Sequence, residues 1–298
     1  MKTYTPSFLQ RGATVGICAP ARRVSEAEIR PAVETFESWG LRVRLGENLF
    51  GAQHQFSGAD EQRAADLQEL IGDDSVSAII AARGGYGCAR LLPLLDLSPL
   101  KKNPKWLVGY SDFTVFHLAL YRLGVQSLHA AMPISFDDVE GVKSLRAALF
   151  GESLSTTFPA HELNVRGTAR GTLIGGNLSI IYSLQGTPYA LLPDNAILFI
   201  EDLDEYLYHV DRMMVNLALC GQLSKIKGLL VGSMSGMKDN SVPFGKNAQE
   251  IIREHAEKLG IPVAFSFPAG HEKPNVALRF GAAVELRVEG KLSEVAYL

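Results

Sequence analysis

The stretch WLVGYSDFTVFHLALYRLG, residues 106–124, joins a short apolar run to a helical pattern through Gly109-Tyr110-Ser111-Asp112. The apolar run predicts a buried strand, and the apolar residues after it recur at intervals of three and four, as on one buried face of a helix. A serine on such a turn lies over a helix N-terminus, where free N–H groups favour developing negative charge. Ser111 is therefore a candidate nucleophile, and helix capping by Ser111 or Asp112 is the alternative interpretation.

The composition is typical of a globular protein. The chain has 298 residues, 47% of them apolar, which is enough for one large or two ordinary domains. The formal net charge is -3, whereas proteins that bind nucleic acids usually carry an excess of positive charge, so no nucleic-acid partner is expected. The N-terminus lacks a secretory signal and no run approaches the about 18–20 apolar residues of a membrane span, so we expect a cytoplasmic protein with no membrane partner. The three cysteines are too widely spaced for a disulfide framework or a metal site, and we predict no metal and no cofactor.

Strand-like and helix-like segments alternate through the first half of the chain. Apolar runs separated by helical patterns lie at 13–19, 41–45, 76–82 and 106–108. This alternation predicts an N-terminal α/β domain over residues 1–150, built on a doubly wound parallel sheet. A polar, irregular linker is predicted at 151–164. The strand-like and helix-like segments of residues 165–298 predict a second, C-terminal domain that ends in a hairpin.

A glycine-rich segment, Arg83-Gly84-Gly85-Tyr86-Gly87, follows the third apolar run. Ligands bind beyond the carboxyl ends of the strands in doubly wound sheets, and both this segment and Ser111 belong to that edge. Adjacent glycines allow the backbone to approach a ligand and to direct N–H groups at a phosphate or an oxyanion. The spacing matches neither the dinucleotide nor the P-loop pattern, which disfavours a nucleotide site. A tight turn without further function is the alternative.

Two further segments contain candidate catalytic side chains. None of the seven histidines has the spacing of a zinc hydrolase, but His271 lies in a loop bounded by proline and glycine, where functional sites are common. A surface histidine is the alternative. The acidic run at 201–205 follows an apolar strand pattern and allows three interpretations: a solvated loop, a divalent-cation site, or a carboxylate that orients a histidine. Glu201 is the first choice for that carboxylate and Glu205 the second.

Five segments of this chain resemble, in order, the signature segments of the LD-carboxypeptidases, a family of serine peptidases that act on murein peptides. They are Arg83-Gly84-Gly85-Tyr86-Gly87, Gly109-Tyr110-Ser111-Asp112-Phe113-Thr114, Gly175-Gly176-Asn177-Leu178, Ile200-Glu201-Asp202 and Gly270-His271, and Ala19-Pro20-Ala21 is similar to the opening of the family. The resemblance implies that Ser111 is the nucleophile, His271 the general base and Glu201 its orienting carboxylate.

The resemblance also implies a smaller, β-rich α/β C-terminal domain, with the active site between the two domains. It further implies an oxyanion hole formed by backbone N–H groups of Gly85 and Asp112. The activity it implies is release of the terminal D-alanine from murein tetrapeptides through an acyl-enzyme, in peptidoglycan recycling. The implied partners are the murein peptide and a second copy of the chain, as a homodimer. Residues expected to contact the substrate are Arg83, Gly84, Tyr86 and Arg212.

Two alternatives stay open. A branch of this family resembles microcin-immunity peptidases, which cleave aminoacyl-nucleotides, and Tyr206 or Tyr208 could stack on a base although no aromatic insertion is visible. The stretch after Asp202 departs from the family pattern, because Asp204 and residues 206–208 stand where many relatives have a proline. The other alternative is a phosphate-binding module in which the Gly84-Gly85 turn binds a nucleotide or sugar phosphate and residues 201–205 hold a metal.

Overall fold

The computed structural model describes residues 3–190 and 192–298. It divides the chain into two compact units: Met1–Glu152 with Val276–Arg279, and Ser153–Asn275 with Phe280–Leu298. Within the described residues, no helix has both the length and the apolar character needed to cross a bilayer.

Strands are distributed along the whole chain. They are β1 Thr14–Cys18, β2 Arg42–Leu45, β3 Val76–Ala81, β4 Trp106–Gly109, β5 Ser127–His129, β6 Thr156–Pro159, β7 Gly167–Asn177, β8 Ala196–Leu203, β9 Ile226–Ser235, β10 Val263–Ala264, β11 Leu278–Phe280, β12 Ala283–Val288 and β13 Leu292–Tyr297.

Helices alternate with these strands. They are α1 Glu26–Ser38, α2 Asp60–Gly72, α3 Cys88–Leu91, α4 Pro99–Lys102, α5 Thr114–Leu123, α6 Val139–Phe150, α7 Leu178–Ser183, α8 Leu207–Leu219 and α9 Ala248–Glu257. Short 3₁₀ turns lie at Leu92–Leu94, Ser111–Phe113, Pro133–Ser135 and Leu223–Lys225.

The sheet of the first unit has the strand order β11-β5-β4-β3-β1-β2. From β2 to β5 the neighbouring strands pair in parallel. All four residues of β4 are buried, as expected for a strand of a parallel sheet that is covered on both faces. The prediction of an α/β chain with a parallel N-terminal sheet is therefore confirmed, and β1, β3 and β4 all end at one edge of that sheet.

The sheet of the second unit is mixed, with the order β10-β9-β8-β7-β12-β13-β6. Strands β10, β9, β8 and β7 pair in parallel, while β7, β12, β13 and β6 pair antiparallel. The predicted C-terminal hairpin is the β12–β13 pair. The parallel half of the sheet brings the carboxyl ends of β7, β8 and β9 to one edge.

Two segments require a correction to the predicted domain division. The segment 151–164 is not only a linker: β6 lies within it and pairs with β13, and the ring of Phe158 packs edge-on against Phe267 at 5.2 Å. Residues 276–279, predicted to belong to the C-terminal domain, belong to the first unit. The Ala277 N–H donates to Ser144 Oγ at 2.8 Å, and β11 takes the place next to β5. A three-residue strand is too short to show a recognisable pattern in the sequence.

Candidate active site

Ser111 lies on a tight turn between β4 and α5. Its φ of 62° is in the left-handed region, which is costly for a residue with a side chain and is commonly found at functional sites. A Cβ at Gly109 would lie 2.6 Å from Cγ of Phe113, so only glycine allows the chain to turn this sharply. The helix ends at Gly124, which has a φ of 86°, as the sequence predicted. This is the strained strand-to-helix geometry that exposes a nucleophile at a sheet edge.

The glycine turn after β3 packs directly against Ser111. A Cβ at Gly84 would lie 2.9 Å from Cβ and 3.2 Å from Oγ of Ser111, so the Gly84 backbone runs beside the hydroxyl. Gly85 has a φ of 112° and lies against the side-chain stem of Arg22. Close approach therefore explains both glycines.

Asp112 links these two turns through its side chain. Its Oδ2 accepts a hydrogen bond from the Cys88 backbone N–H at 2.8 Å, and the residue is buried. Burial raises the pKa of the Asp112 carboxyl, against the opposing effect of the hydrogen bond from Cys88 and the positive charge of Arg63. The sequence predicted a role in catalysis only for the Asp112 backbone N–H, and helix capping was the alternative role of this residue. No local pattern indicates this side-chain contact, because the partners are 24 residues apart.

In the second unit, Glu201 and His271 are in contact. Glu201 is fully buried near the end of β8, and its Oε2 lies 2.6 Å from Nδ1 of His271. Of the three interpretations of the acidic run, the structure therefore has the carboxylate paired with a histidine. A carboxylate at Nδ1 favours the tautomer that carries its proton there, which leaves Nε2 able to accept a proton.

The pKa of His271 lies above the ordinary value of a histidine. Burial acts to lower it, but the hydrogen bond and negative charge of Glu201 outweigh burial, and the charges of Asp202 and Asp204 act in the same direction. Contact with Glu201 therefore favours the protonated form of His271, which distinguishes it from a histidine exposed to solvent.

The backbone around His271 is also held in place. The His271 N–H donates to Ser233 Oγ at 2.8 Å, and the Gly270 N–H donates to Oδ1 of Asn275 at 3.0 Å. Gly270 has a φ of 126°, and a Cβ there would lie 2.3 Å from Ser233 Oγ and 3.1 Å from Cβ of Glu201. Sequence reasoning did not identify Ser233 or Asn275. The glycine before His271 was the one local signal of this close approach.

The other acids of the 201–205 run have separate partners. Asp202 Oδ1 accepts from Asn177 Nδ2 at 2.9 Å, and its Oδ2 accepts from the Ser179 N–H at 2.8 Å, so it links β8 to the start of α7. Burial, followed by the neighbouring charge of Glu201, raises the pKa of Asp202 to about 7. Glu205 binds Nδ1 of His209 at 2.5 Å. Among the described residues, no three His, Cys, Asp or Glu side chains form a cluster suited to a metal ion.

The residues predicted to contact substrate are divided between the units. In the first unit, Arg83 lies 3.8 Å from Glu28 Oε1, and the half-exposed Tyr86 has its ring 6.1 Å from that of Phe56. In the second unit, Arg212 lies over the ring of Tyr208 at 5.0 Å. Their part in substrate binding stays a prediction.

Comparison with known families identifies the chain's relatives. The sequence model of the LD-carboxypeptidase N-terminal domain matches residues 15–130, and that of the LD-carboxypeptidase C-terminal domain matches residues 170–286. This chain belongs to the LD-carboxypeptidase family. The resemblance inferred from the five segments is thereby confirmed, and the chain is a carboxypeptidase, a hydrolase that acts on peptides.

Individual LD-carboxypeptidases match almost the whole chain. The probable murein peptide carboxypeptidase of Bacillus subtilis (strain 168) is 34% identical over 305 residues, which cover 98% of this chain and 94% of that protein. The crystal structure of muramoyltetrapeptide carboxypeptidase from Oxalobacter formigenes is 30% identical with a TM-score of 0.85, over 95% of this chain and 98% of that one. MccF in complex with glutamyl sulfamoyl guanosine is 21% identical with a TM-score of 0.86, over 99% and 98% of the two chains, a similarity of fold alone.

Proposed function

We propose that this carboxypeptidase releases the terminal D-alanine of murein tetrapeptides through an acyl-enzyme on Ser111. The observation that supports it most directly is the 2.6 Å contact between buried Glu201 and His271, in a chain that also holds Ser111 in a left-handed turn. The murein substrate is supported by the two relatives from Bacillus subtilis and Oxalobacter formigenes, which are a probable murein peptide carboxypeptidase and a muramoyltetrapeptide carboxypeptidase.

In the proposed mechanism, His271 Nε2 takes the proton of Ser111 as Oγ attacks the carbonyl carbon of the scissile bond. Glu201 stabilises the imidazolium that results. The N–H groups of Gly85 and Asp112 bind the oxyanion, and loss of one such donor typically costs about 10²–10³ in rate. The imidazolium then protonates the leaving amine of D-alanine. A water molecule, deprotonated by His271, attacks the acyl-enzyme, and the tripeptide leaves as Ser111 regains its proton.

The remaining parts of the proposal concern substrate contacts and assembly. A terminal carboxylate requires a cation or backbone donors, and Arg83 or Arg212 would supply the cation while Gly84 and Tyr86 line the peptide. We further propose a cytoplasmic homodimer that acts in peptidoglycan recycling and has no nucleic-acid partner. Light scattering of the purified protein should give twice the mass of the chain; a monomer at all concentrations would remove the dimer from the proposal.

The test of the function uses Ser111→Ala with a panel of murein tri-, tetra- and pentapeptides, read by mass spectrometry. We expect the parent to release D-alanine from the tetrapeptide and the variant to lose that activity by a factor on the order of 10⁴ or more. Ser135→Ala, which changes another serine of the same unit, is the control. Activity of Ser111→Ala within tenfold of the parent would exclude the serine mechanism.

A second candidate is cleavage of aminoacyl-nucleotides. The observation in its favour is a pair of half-exposed rings in the second unit, Tyr206 and Tyr208, with centroids 5.6 Å apart, on which a base could stack. The same enzyme should be incubated with a tetrapeptide and with an analogue of aspartyl sulfamoyl adenosine in which the amide bond between the aspartyl group and the nucleotide part can be hydrolysed. The substrate with the higher kcat/KM decides between the two functions.

A further inference from the structure

The first unit contains a cavity of about 800 Å³. Its lining comes from the segments that follow β1, β2 and β3, at the carboxyl edge of the parallel sheet. Ligands bind at this edge in open α/β sheets. The charged and polar residues that line it include Arg22, Arg23, Glu28, His54, Gln55 and Arg83.

The cavity has an excess of positive charge. Three arginines line it against one carboxylate, Glu28. Glu28 is already engaged, because its Oε2 accepts the N–H of Ser25 at 2.7 Å in the capping box of α1, and its Oε1 is 3.8 Å from Arg83. Within the described residues of the first unit, the guanidinium groups of Arg22 and Arg23 have no ion-pair partner. A concave surface with uncompensated positive charge concentrates anions.

The arginines are mounted on ordered backbone rather than on a loose loop. Arg22 pairs with Phe56 in an isolated antiparallel bridge, and the Arg23 N–H donates to the Gln55 carbonyl at 3.0 Å. His54, on the facing segment, has a φ of 57°, a strained conformation for a residue with a side chain. Such strain persists only where the surroundings determine it, and it is concentrated at binding sites.

The cavity adjoins the nucleophile through the glycine turn. Gly84 packs on Ser111, and the next residue, Gly85, packs on the stem of Arg22. With standard backbone dimensions, these contacts keep Cδ of Arg22 within about 12 Å of Ser111 Oγ. An extended peptide covers that distance in three to four residues. A ligand attached to Ser111 could therefore reach this cavity.

We propose that this cavity is a subsite for the acyl part of the substrate, in which Arg22 and Arg23 bind a carboxylate upstream of the cleaved bond. The inference rests on the proposed function. A carboxypeptidase of this kind has a single alanine as its leaving group, whereas a cavity of this volume suits a drug-sized ligand. Guanidinium groups bind carboxylates through paired, charge-assisted hydrogen bonds. The enzyme would thus select acidic stem peptides over their amidated forms.

The test compares the parent with Arg23→Gln and with Arg22→Gln/Arg23→Gln. Arg30→Gln is the matched control, because Arg30 is an exposed arginine of α1 that does not line the cavity. Each protein is assayed with the tetrapeptide and with the same peptide amidated at its upstream carboxylates. Binding of the tripeptide, its amidated form, inorganic phosphate and adenosine monophosphate is measured by calorimetry, which requires no turnover.

We expect the double variant to raise KM for the acidic tetrapeptide about tenfold or more, with kcat within about twofold, and to weaken tripeptide binding to the same extent. The amidated peptide should not distinguish the variant from the parent.

If the parent releases D-alanine but KM and tripeptide binding are unchanged in the variant, the subsite is wrong and the function stands. If nothing is hydrolysed but tripeptide binding depends on the arginines, the proposed reaction is wrong, and what stands is a carboxylate-binding site at the two arginines. If the arginines are needed to bind phosphate or adenosine monophosphate but not the tripeptide, the assignment to a carboxylate is wrong. If Arg30→Gln has the same effect as the double variant, the effect does not come from the arginines of the cavity.

Discussion

The Asp112 carboxylate accepts a hydrogen bond from the Cys88 backbone N–H at 2.8 Å, and this contact joins the two turns that meet at Ser111. One turn presents the serine, and the other provides Gly84 and Gly85. The end of the glycine turn, at the start of α3, is therefore fixed to the residue that follows Ser111. The position of the glycine turn beside Ser111 therefore depends on a hydrogen bond between residues that are 24 positions apart in the sequence.

We expect Asp112→Ala to reduce both stability and activity. The buried Cys88 N–H would lose its acceptor, which costs about 1–3 kcal/mol, and the glycine turn would lose its attachment beside Ser111. We expect kcat to fall by about 10²-fold, measured with the tetrapeptide, and urea unfolding to give the stability change. Asp112→Asn retains an acceptor oxygen and should restore most of both. A variant with alanine that keeps the parental kcat would contradict a positioning role for this carboxylate.

Gly84→Ala tests whether close packing on Ser111 is needed for activity. The added Cβ would be 2.9 Å from Cβ of Ser111, so the serine or the turn must move. A displacement of about 1 Å in a catalytic group can cost on the order of 10² in rate. The control is Gly72→Ala, since a Cβ on Gly72 meets nothing within 4 Å and alanine favours the helix. If both variants have the parental kcat, Gly84 is only a turn residue.

Much of this arrangement followed from local sequence patterns, and the exceptions have a common cause. The helix stop at Gly124, the capping box of Ser25 and Glu28, and the hairpin of β12 and β13 are each encoded by residues within a few positions of one another. The Asp112–Cys88 bond, the Ser233–His271 bond and strand β11 depend on chain segments that only the tertiary fold brings together.

Even the pairing of Glu201 with His271, 70 residues apart, was one of several options until the family resemblance was considered. The acidic run was compatible with solvent, a metal or a histidine. Its composition does not distinguish them, because the same carboxylates suit all three. What separates the three interpretations is the burial of Glu201 near the end of β8. The sequence pattern predicts that a strand ends there but not that this side chain is buried.

Ser233→Ala tests the hydrogen bond that holds the backbone of His271. The hydroxyl accepts the His271 N–H at 2.8 Å, and without it the histidine loop loses one of its fixed points. We expect kcat to fall about tenfold with KM nearly unchanged, because positioning of the base and not substrate binding is affected. Ser235→Ala is the control: it is two residues further along β9, and its hydroxyl binds Glu272 at 2.9 Å instead. Equal losses in the two variants would rule out a specific role for Ser233.

The pH dependence of kcat/KM tests the Glu201–His271 pair. A general base acts in its neutral form, so activity should rise with pH through the His271 pKa, with a midpoint above 6.5. Glu201→Gln removes the charge that raises this pKa and leaves burial, which lowers it. We therefore expect its midpoint to move to lower pH, with kcat lower by a factor on the order of 10³–10⁴. Asp202→Asn should move the midpoint in the same direction by less.

Asp211→Asn is the control for this shift, because Asp211 pairs with His255 at 2.8 Å and should leave the midpoint unchanged. The same pair gives an independent measurement through stability. Since the folded-state pKa of His271 is raised, the pair stabilises the parent fully below the unfolded value near 6.5 and less as the pH rises through the folded value. Urea unfolding on both sides of this range should show that loss in the parent and not in Glu201→Gln. A parental midpoint below 6.5, or one that Glu201→Gln leaves in place, would contradict the assignment of His271 as the base oriented by Glu201.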